Sequence, residues 1–282
     1  MLSYRHGFHA GNHGDVLKHW VLVLISEYMG KKDKPYWYVD THSAAGGYDL
    51  RSDDSLKTGE FENGIAKLWK QDTPQVFHSY LQLVKQFNTD GELNLYPGSP
   101  WFVRQCMREQ DKARLFELHP QDFALLKQNF SRDRQVNTDQ QDGFGGLKSI
   151  LPPPTKRAMV AIDPPYELPK EYDQVVSCVK QSLKQFATGV YVVWYPLINR
   201  NTKQEASEAM VNRLKNAGAK SVLDVRLWVN GKQEEKGMYG SGLTILNPPW
   251  VLKEQLETGL PYLVKKLGKT ESAGFKIDFK ES

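Results

Sequence analysis

Cysteine is scarce in this chain. Only Cys106 and Cys178 occur among 282 residues, far apart and in no CxxC pair. That argues against a disulfide framework and a cysteine zinc site, and it fits a reducing compartment. No apolar stretch approaches the roughly 18 residues needed to span a bilayer. The opening segment, MLSYRHGFHAGNHGD, lacks the apolar run of a secretory leader. A soluble, cytoplasmic protein is expected. Internal repeats, low-complexity tracts and acidic tails are also missing. Charge of one sign is nearly absent in the sum: 37 basic against 33 acidic residues leave +4. So small an excess tolerates an acidic partner without demanding one. What is present is ordinary globular composition, 40% hydrophobic and 25% charged, with enough length to bury a full core.

Short β-rich runs recur between helical patterns. They lie at Pro35–Asp40, Arg114–Leu118, Gln135–Thr138, Ala158–Asp163, Val190–Tyr195, Ser221–Trp228 and Leu243–Leu246. Their apolar runs lack clean alternation, as in parallel strands covered on both faces. Helical periodicity falls at about 99–110, 120–130, 171–187 and 203–217. The alternation predicts an α/β, doubly wound, mostly parallel seven-stranded sheet with ligands at the carboxyl ends of its strands. Asn230–Gly237 is too short for a crossover helix, so the final strand should be antiparallel. Between about 48 and 96 no strand is convincing, but helical patterns run near 57–71 and 74–88. That is more chain than a βαβ unit needs. The expected organisation is therefore a main domain of residues 1–47 and 97–282 and a small helical insertion at 48–96. Lys57, Lys67, Lys70 and Lys85 on that insertion could meet phosphates, or simply form a solvated face.

Asp163-Pro-Pro-Tyr166, at the end of a strand, is the most informative tetrapeptide. An aromatic amine is a poor nucleophile because its lone pair is delocalised into the ring. A carboxylate and an adjacent carbonyl can accept both amine hydrogens and favour a nitrogen whose lone pair points at an electrophilic methyl. Asp163 supplies the carboxylate, Pro164 the carbonyl, and Tyr166 an aromatic face for a base drawn out of its stack. The plainer alternative is a rigid strand-end turn. Asn247-Pro-Pro-Trp250 repeats the pattern, but after the antiparallel strand, so its end of the sheet points away from the site. A structural role is expected there.

The loop Asp40-Thr-His-Ser-Ala-Ala-Gly-Gly47 is small but is not GxGxxG, which weakens a nicotinamide or flavin reading. Glu117 ends a strand where an acid can bind both ribose hydroxyls of an adenosine, or cap a helix. Asp142-Gly143 could receive an adenine amino group or form a turn. Ser99, in Pro97-Gly-Ser-Pro100, could cap a helix and help hold a carboxylate such as that of methionine. His6, His9, His13 and His19 crowd one stretch with Arg5 and Lys18. Their spacing matches no closed zinc site, so no metal is expected; solvated surface and cofactor or nucleic-acid contact are the remaining readings.

These motifs together resemble the bacterial RlmJ-type methyltransferases, which modify adenine N6 in 23S ribosomal RNA. The resemblance runs from Met1-Leu-Ser-Tyr-Arg-His6 and Gly11-Asn-His-Gly-Asp-Val-Leu-Lys-His19 to Asn247-Pro-Pro-Trp250. It includes Asp40-Thr-His42, Tyr96-Pro-Gly-Ser-Pro100, Glu117-Leu-His-Pro120, Asp142-Gly143, Asp163-Pro-Pro-Tyr166 and Trp194-Tyr-Pro196. It implies a Rossmann-like class I fold and S-adenosylmethionine as cofactor. It also implies a cofactor site lined by His19, His42, Ser99, Glu117, Asp142, Gly143 and Asp163. Tyr4, His6 and Lys18 should lie near the substrate base, and the family implies a monomer. One departure stands out: the first loop reads His-Ser-Ala-Ala-Gly-Gly where His-Ala-Gly-Ala-Gly is expected. The competing functions are DNA adenine or RNA guanine-N2 methylation, and a noncatalytic RNA-binding or assembly factor. No large target-recognition domain is visible, which disfavours DNA. Protein-free rRNA is the expected substrate.

Overall fold

The computed structural model describes residues 6–199, 201–232 and 237–281. Helix α1 (His13–Gly30) starts at Asn12, whose side chain accepts from Asp15 N, and it is buried along most of its length. Strand β1 (Trp37–Asp40) follows. The chain then leaves the sheet through β2 (Gly47–Asp49), α2 (Asp53–Thr58) and α3 (His78–Phe87), and returns through β3 (Leu95–Pro97). β2 and β3 pair antiparallel, forming a ribbon at the base of this excursion. The helical pattern at 57–71 does not form one helix. Gly59 turns left-handed and closes α2, and short 3₁₀ turns follow at Glu60–Asn63 and Ile65–Lys67.

The main sheet is built from alternating elements. They are α4 (Ser99–Cys106), β4 (Lys112–Phe116), α5 (Pro120–Asn129), β5 (Val136–Asp139), α6 (Gly143–Ile150), β6 (Ala158–Ile162) and α7 (Lys170–Gln185). Next come β7 (Val190–Ile198), α8 (Asn201–Lys215), β8 (Ser221–Trp228), β9 (Met238–Leu246), α9 (Leu252–Leu267) and β10 (Gly274–Glu281). The strand order is β10-β8-β9-β7-β6-β1-β4-β5. β1 pairs parallel with both β4 and β6, so the order reverses between β1 and β6 and opens a crevice at their carboxyl ends. β9 runs antiparallel between β7 and β8, as the short 230–237 connection requires.

Both faces of the sheet are covered. Met159 and Ala161 of β6 face a core shared with α1, α4 and α9, while Val160 and Ile162 face α7 and α8. Burying each of these larger side chains contributes about 1.5–3 kcal/mol, which explains why the strands read as continuous apolar runs. The sheet has eight strands where seven were expected. β10 adds an antiparallel edge to β8 from the segment after Thr270. Its signal is a plain period-two pattern, with Phe275, Ile277 and Phe279 alternating with Lys276, Asp278 and Lys280. Helices α1 and α9 were not expected: α1 is buried nearly all round and shows little periodicity, whereas α9 runs through Pro261 and carries a helical stripe of Leu252, Leu256, Leu260, Leu263 and Leu267 that sequence reading passed over.

Candidate active site

The crevice holds a cavity of about 350 Å³ where β1, β4, β5 and β6 end. Each strand delivers chemistry at its carboxyl end. After β1 come Thr41, His42, Ser43 and Ala44; after β4, Glu117 and Leu118; after β5, Asp142 and Gly143; after β6, Asp163 and Pro164. His19, Ser99, His6 and Lys18 complete the same lining. Every expected cofactor-site residue therefore meets in one cavity, together with two of the three expected near the base. Tyr4 lies outside the described residues.

The backbone at this site is packed too closely for side chains. A Cβ on Gly143 would stand 1.9 Å from the Thr41 carbonyl oxygen, and one on Gly98 would stand 2.9 Å from Gly46 C. The starts of α4 and α6 thus clamp the loop after β1 on both sides.

The acids of the cavity are held by specific donors. Glu117 accepts from Ala44 N at 2.8 Å and His119 N at 2.7 Å, one on each carboxylate oxygen. Burial raises its pKa against those bonds. Asp142 accepts from Gly145 N and caps α6. Asp40, buried beneath the loop, accepts from Tyr38 and from Ser99, both at 2.6 Å. Ser99 does not cap α4: Gly98 takes the N-cap position, and Ser99, the first helical residue, donates its hydroxyl to Asp40. Burial pushes His42 down to about 4, so its imidazole is neutral near pH 7. With Leu118, Phe144, Pro164 and Leu168 as apolar walls, these acids suit a nucleoside with a ribose diol.

Asp163 stands where this cavity meets a second one of about 530 Å³. His6, Lys18, Asp163, Pro165 and Glu167 line both, and Trp194 and Pro196 form part of the second wall. The Asp163 side chain is 19% exposed, and Lys18 Nζ donates to its Oδ2 at 2.6 Å. Tyr166 departs from expectation. Its ring is 1% exposed and packs on Tyr172 and Trp194, while its hydroxyl donates to the Trp194 carbonyl. It is nonetheless part of the lining of the second cavity, from within its wall. At φ +51° the turn directs Tyr166 into the core and leaves the aspartate and prolines at the surface of the site.

The N-terminal histidines go to separate partners. His6 Nε2 lies 2.9 Å from Asp15, His9 Nδ1 2.9 Å from Glu60, and His19 Nδ1 2.9 Å from Tyr96 Oη. Among the described residues, no group of three or more His, Cys, Asp or Glu could hold a metal ion. Asn247 also has a local role, bonding Ala187 O, Gly189 O and Lys220 N at the opposite end of the sheet, next to a 79% exposed Trp250.

The family model described as "Ribosomal RNA large subunit methyltransferase D, RlmJ" matches residues 33–280. The chain belongs to this family. It is 45% identical over 268 residues to Ribosomal RNA large subunit methyltransferase J of Escherichia coli, covering 95% of this chain and 94% of that one. Identity to the protein of the same name from Haemophilus influenzae is also 45%, over 281 residues and 99% of each chain. The crystal structure of a Legionella pneumophila protein superposes with a TM-score of 0.87 at 33% identity, covering 97% of this chain and 98% of that one.

The loop departure acquires a physical meaning in this RlmJ chain. Ala44 stands where a glycine is expected, and its φ is +47°, in the left-handed region. Its N–H nevertheless reaches Glu117. Sequence reading missed Asp15, Asp40 and Tyr96. Asp15 was legible in principle, because its i+3 and i+4 spacing to Lys18 and His19 puts all three on one helical face.

Proposed function

We propose that this RlmJ-family chain transfers a methyl group from S-adenosylmethionine to the N6 amine of an adenine in 23S rRNA. It acts as a monomer on protein-free or early-assembly RNA. The observation that supports this reading best is the junction of two cavities at Asp163. One has the acid-rich, partly apolar lining of a nucleoside site. The other opens beside Trp194 and Pro196 with room for a flipped base.

The residues fit the cofactor by the chemistry of their donors and acceptors. Glu117 would take the ribose hydroxyls, Asp142 and Gly143 the adenine edge, and His19, His42 and Ser99 the remainder. Bound there, S-adenosylmethionine supplies a methyl group activated by a sulfonium. The protein's part is to position the amine. Asp163 and the Pro164 carbonyl accept its two hydrogens, so that its lone pair is aimed from the second cavity toward the first. Asp163 then takes the proton that the methylated amine loses and passes it to solvent. His6 and Lys18 border the base, and Tyr166 holds the turn rigid from below.

The test compares protein-free 23S rRNA, a short hairpin cut from it, assembled large subunits and a matched DNA hairpin at one salt concentration. N6-methyladenosine is read by mass spectrometry. Extruding a base costs a few kcal/mol, least where it is unpaired, and a mature particle adds contacts to displace. Naked rRNA and the hairpin should therefore be the better acceptors. Methylation of DNA alone, methylguanosine as product, or no product with any substrate would reject the reading. Assembled subunits outperforming naked RNA would reject its early-assembly part.

A further inference from the structure

We infer that Asp15 is a positioning residue that holds the Lys18 ammonium so that Asp163 can exchange that cation for the substrate amine. The inference rests on the adenine-N6 reading. The catalytic carboxylate is not free: its Oδ2 accepts from Lys18 Nζ at 2.6 Å. A charge-assisted bond of this kind is roughly twice as strong as a neutral one, so an incoming amine N–H would compete poorly for the same oxygen. Lys18 has a second anchor, however. Asp15 Oδ1 lies 3.0 Å from Nζ, and its side chain is 1% exposed.

Asp15 is itself fixed from several sides. Gly11 N donates to Oδ2 at 2.9 Å, His6 Nε2 lies 3.0 and 2.9 Å from its two oxygens, and His19 Nε2 is 3.8 Å away. Burial would raise its pKa, but the surrounding His6, Lys18 and His19 hold it well below the usual carboxylate range. It is therefore a permanent buried anion. Lys18 is largely buried and remains charged, because Asp15 and Asp163 outweigh the cost of its burial. Without Asp15, releasing Asp163 would strand a buried cation, which is strongly unfavourable. With Asp15 in place, Lys18 keeps a partner throughout, and Asp163 changes partners at little cost.

Asp15→Asn keeps the shape and removes the charge. Its kcat on protein-free 23S rRNA should fall on the order of 10²-fold, with KM for RNA and the Kd for S-adenosylmethionine unchanged. Adding Lys18→Met removes the stranded cation, so the double variant should run at least about tenfold faster than Asp15→Asn alone. Wild-type kcat in Asp15→Asn, or a double variant no faster than the single one, overturns the inference. Should Asp15→Asn fail to fold, the wild-type protein decides, in a crystal structure with the hairpin and S-adenosylhomocysteine. Lys18 Nζ should stay on Asp15 and leave Asp163 to the amine; an ammonium still bonded to Asp163 overturns it. Wild-type protein that methylates no adenine in rRNA would instead sink the reading beneath it.

Discussion

Gly143→Ala is the smallest change that should damage the cavity proposed for the cofactor. The added Cβ would stand 1.9 Å from Thr41 O and 2.6 Å from Thr41 C, both backbone atoms that no rotamer change can move. Reaching ordinary contact requires the start of α6 and the loop after β1 to part by about 1.5 Å. Overpacking of this kind costs about 1–3 kcal/mol or somewhat more. At roughly 2 °C per kcal/mol for a chain of this size, Tm should drop by about 2–6 °C. The same displacement moves His42 and Ala44 away from Asp142, so cofactor affinity should fall more than tenfold by calorimetry. Gly145→Ala is the internal control. Its Cβ would meet only Asp142 Oδ2 at 3.3 Å, and alanine inside a helix is favoured over glycine by about 0.5–1 kcal/mol. A Gly143→Ala protein with wild-type Tm and cofactor affinity would refute the claim that these two backbone segments form the floor of the site.

Asp163→Ala should stay folded, with Lys18 retained by Asp15, and lose about 10²–10³-fold in kcat at saturating RNA and cofactor; near-wild-type turnover would remove Asp163 from the chemistry. Asn247→Ala loses three hydrogen bonds and places alanine at φ +54°. It should cost about 2–4 kcal/mol in denaturant melts while turnover at 25 °C is kept, and a catalytic loss equal to that of Asp163→Ala would contradict the strand order. Ala44→Gly relieves a left-handed alanine, worth about 1–2 kcal/mol, against about 0.4–1 kcal/mol of added unfolded-state entropy. A net gain of about 0–1.6 kcal/mol is expected, and a lower denaturation midpoint would show that the loop is not strained at this position.

The fold was legible wherever burial leaves a continuous apolar run, as in β6, or a helical period, as in α7. β6, β8 and α7 fall close to where their apolar patterns put them, and the short 230–237 connection announced the antiparallel β9. α1 was hidden because a helix buried on nearly every side has no polar stripe to set its period. β10 carries a period-two pattern but buries none of its residues fully, and the lysines between its apolar positions leave no continuous apolar run of the kind that marked the other strands. The lining of the candidate cavity was legible at strand ends, where Glu117, Asp142 and Asp163 follow from position alone. The direction of Tyr166 was not legible, because a motif gives the residue and not its orientation: a left-handed turn packs that ring into the wall of the second cavity. Asp40 went unseen because its bond to Ser99 becomes visible only when contacts across the fold are known, whereas Asp15 had a local signal in its i+3 and i+4 spacing to Lys18 and His19 that was not used.

The central claim, methylation of adenine N6 in 23S rRNA, is tested most directly by nucleoside mass spectrometry. The comparison is 23S rRNA from a strain deleted for this chain, the parent, and the deletion strain carrying either the wild-type gene or Asp163→Ala. The account predicts that the deletion strain lacks one N6-methyladenosine per 23S molecule, that wild type restores it and that Asp163→Ala does not. Unchanged N6-methyladenosine in the deletion strain, or restoration by Asp163→Ala, would contradict it.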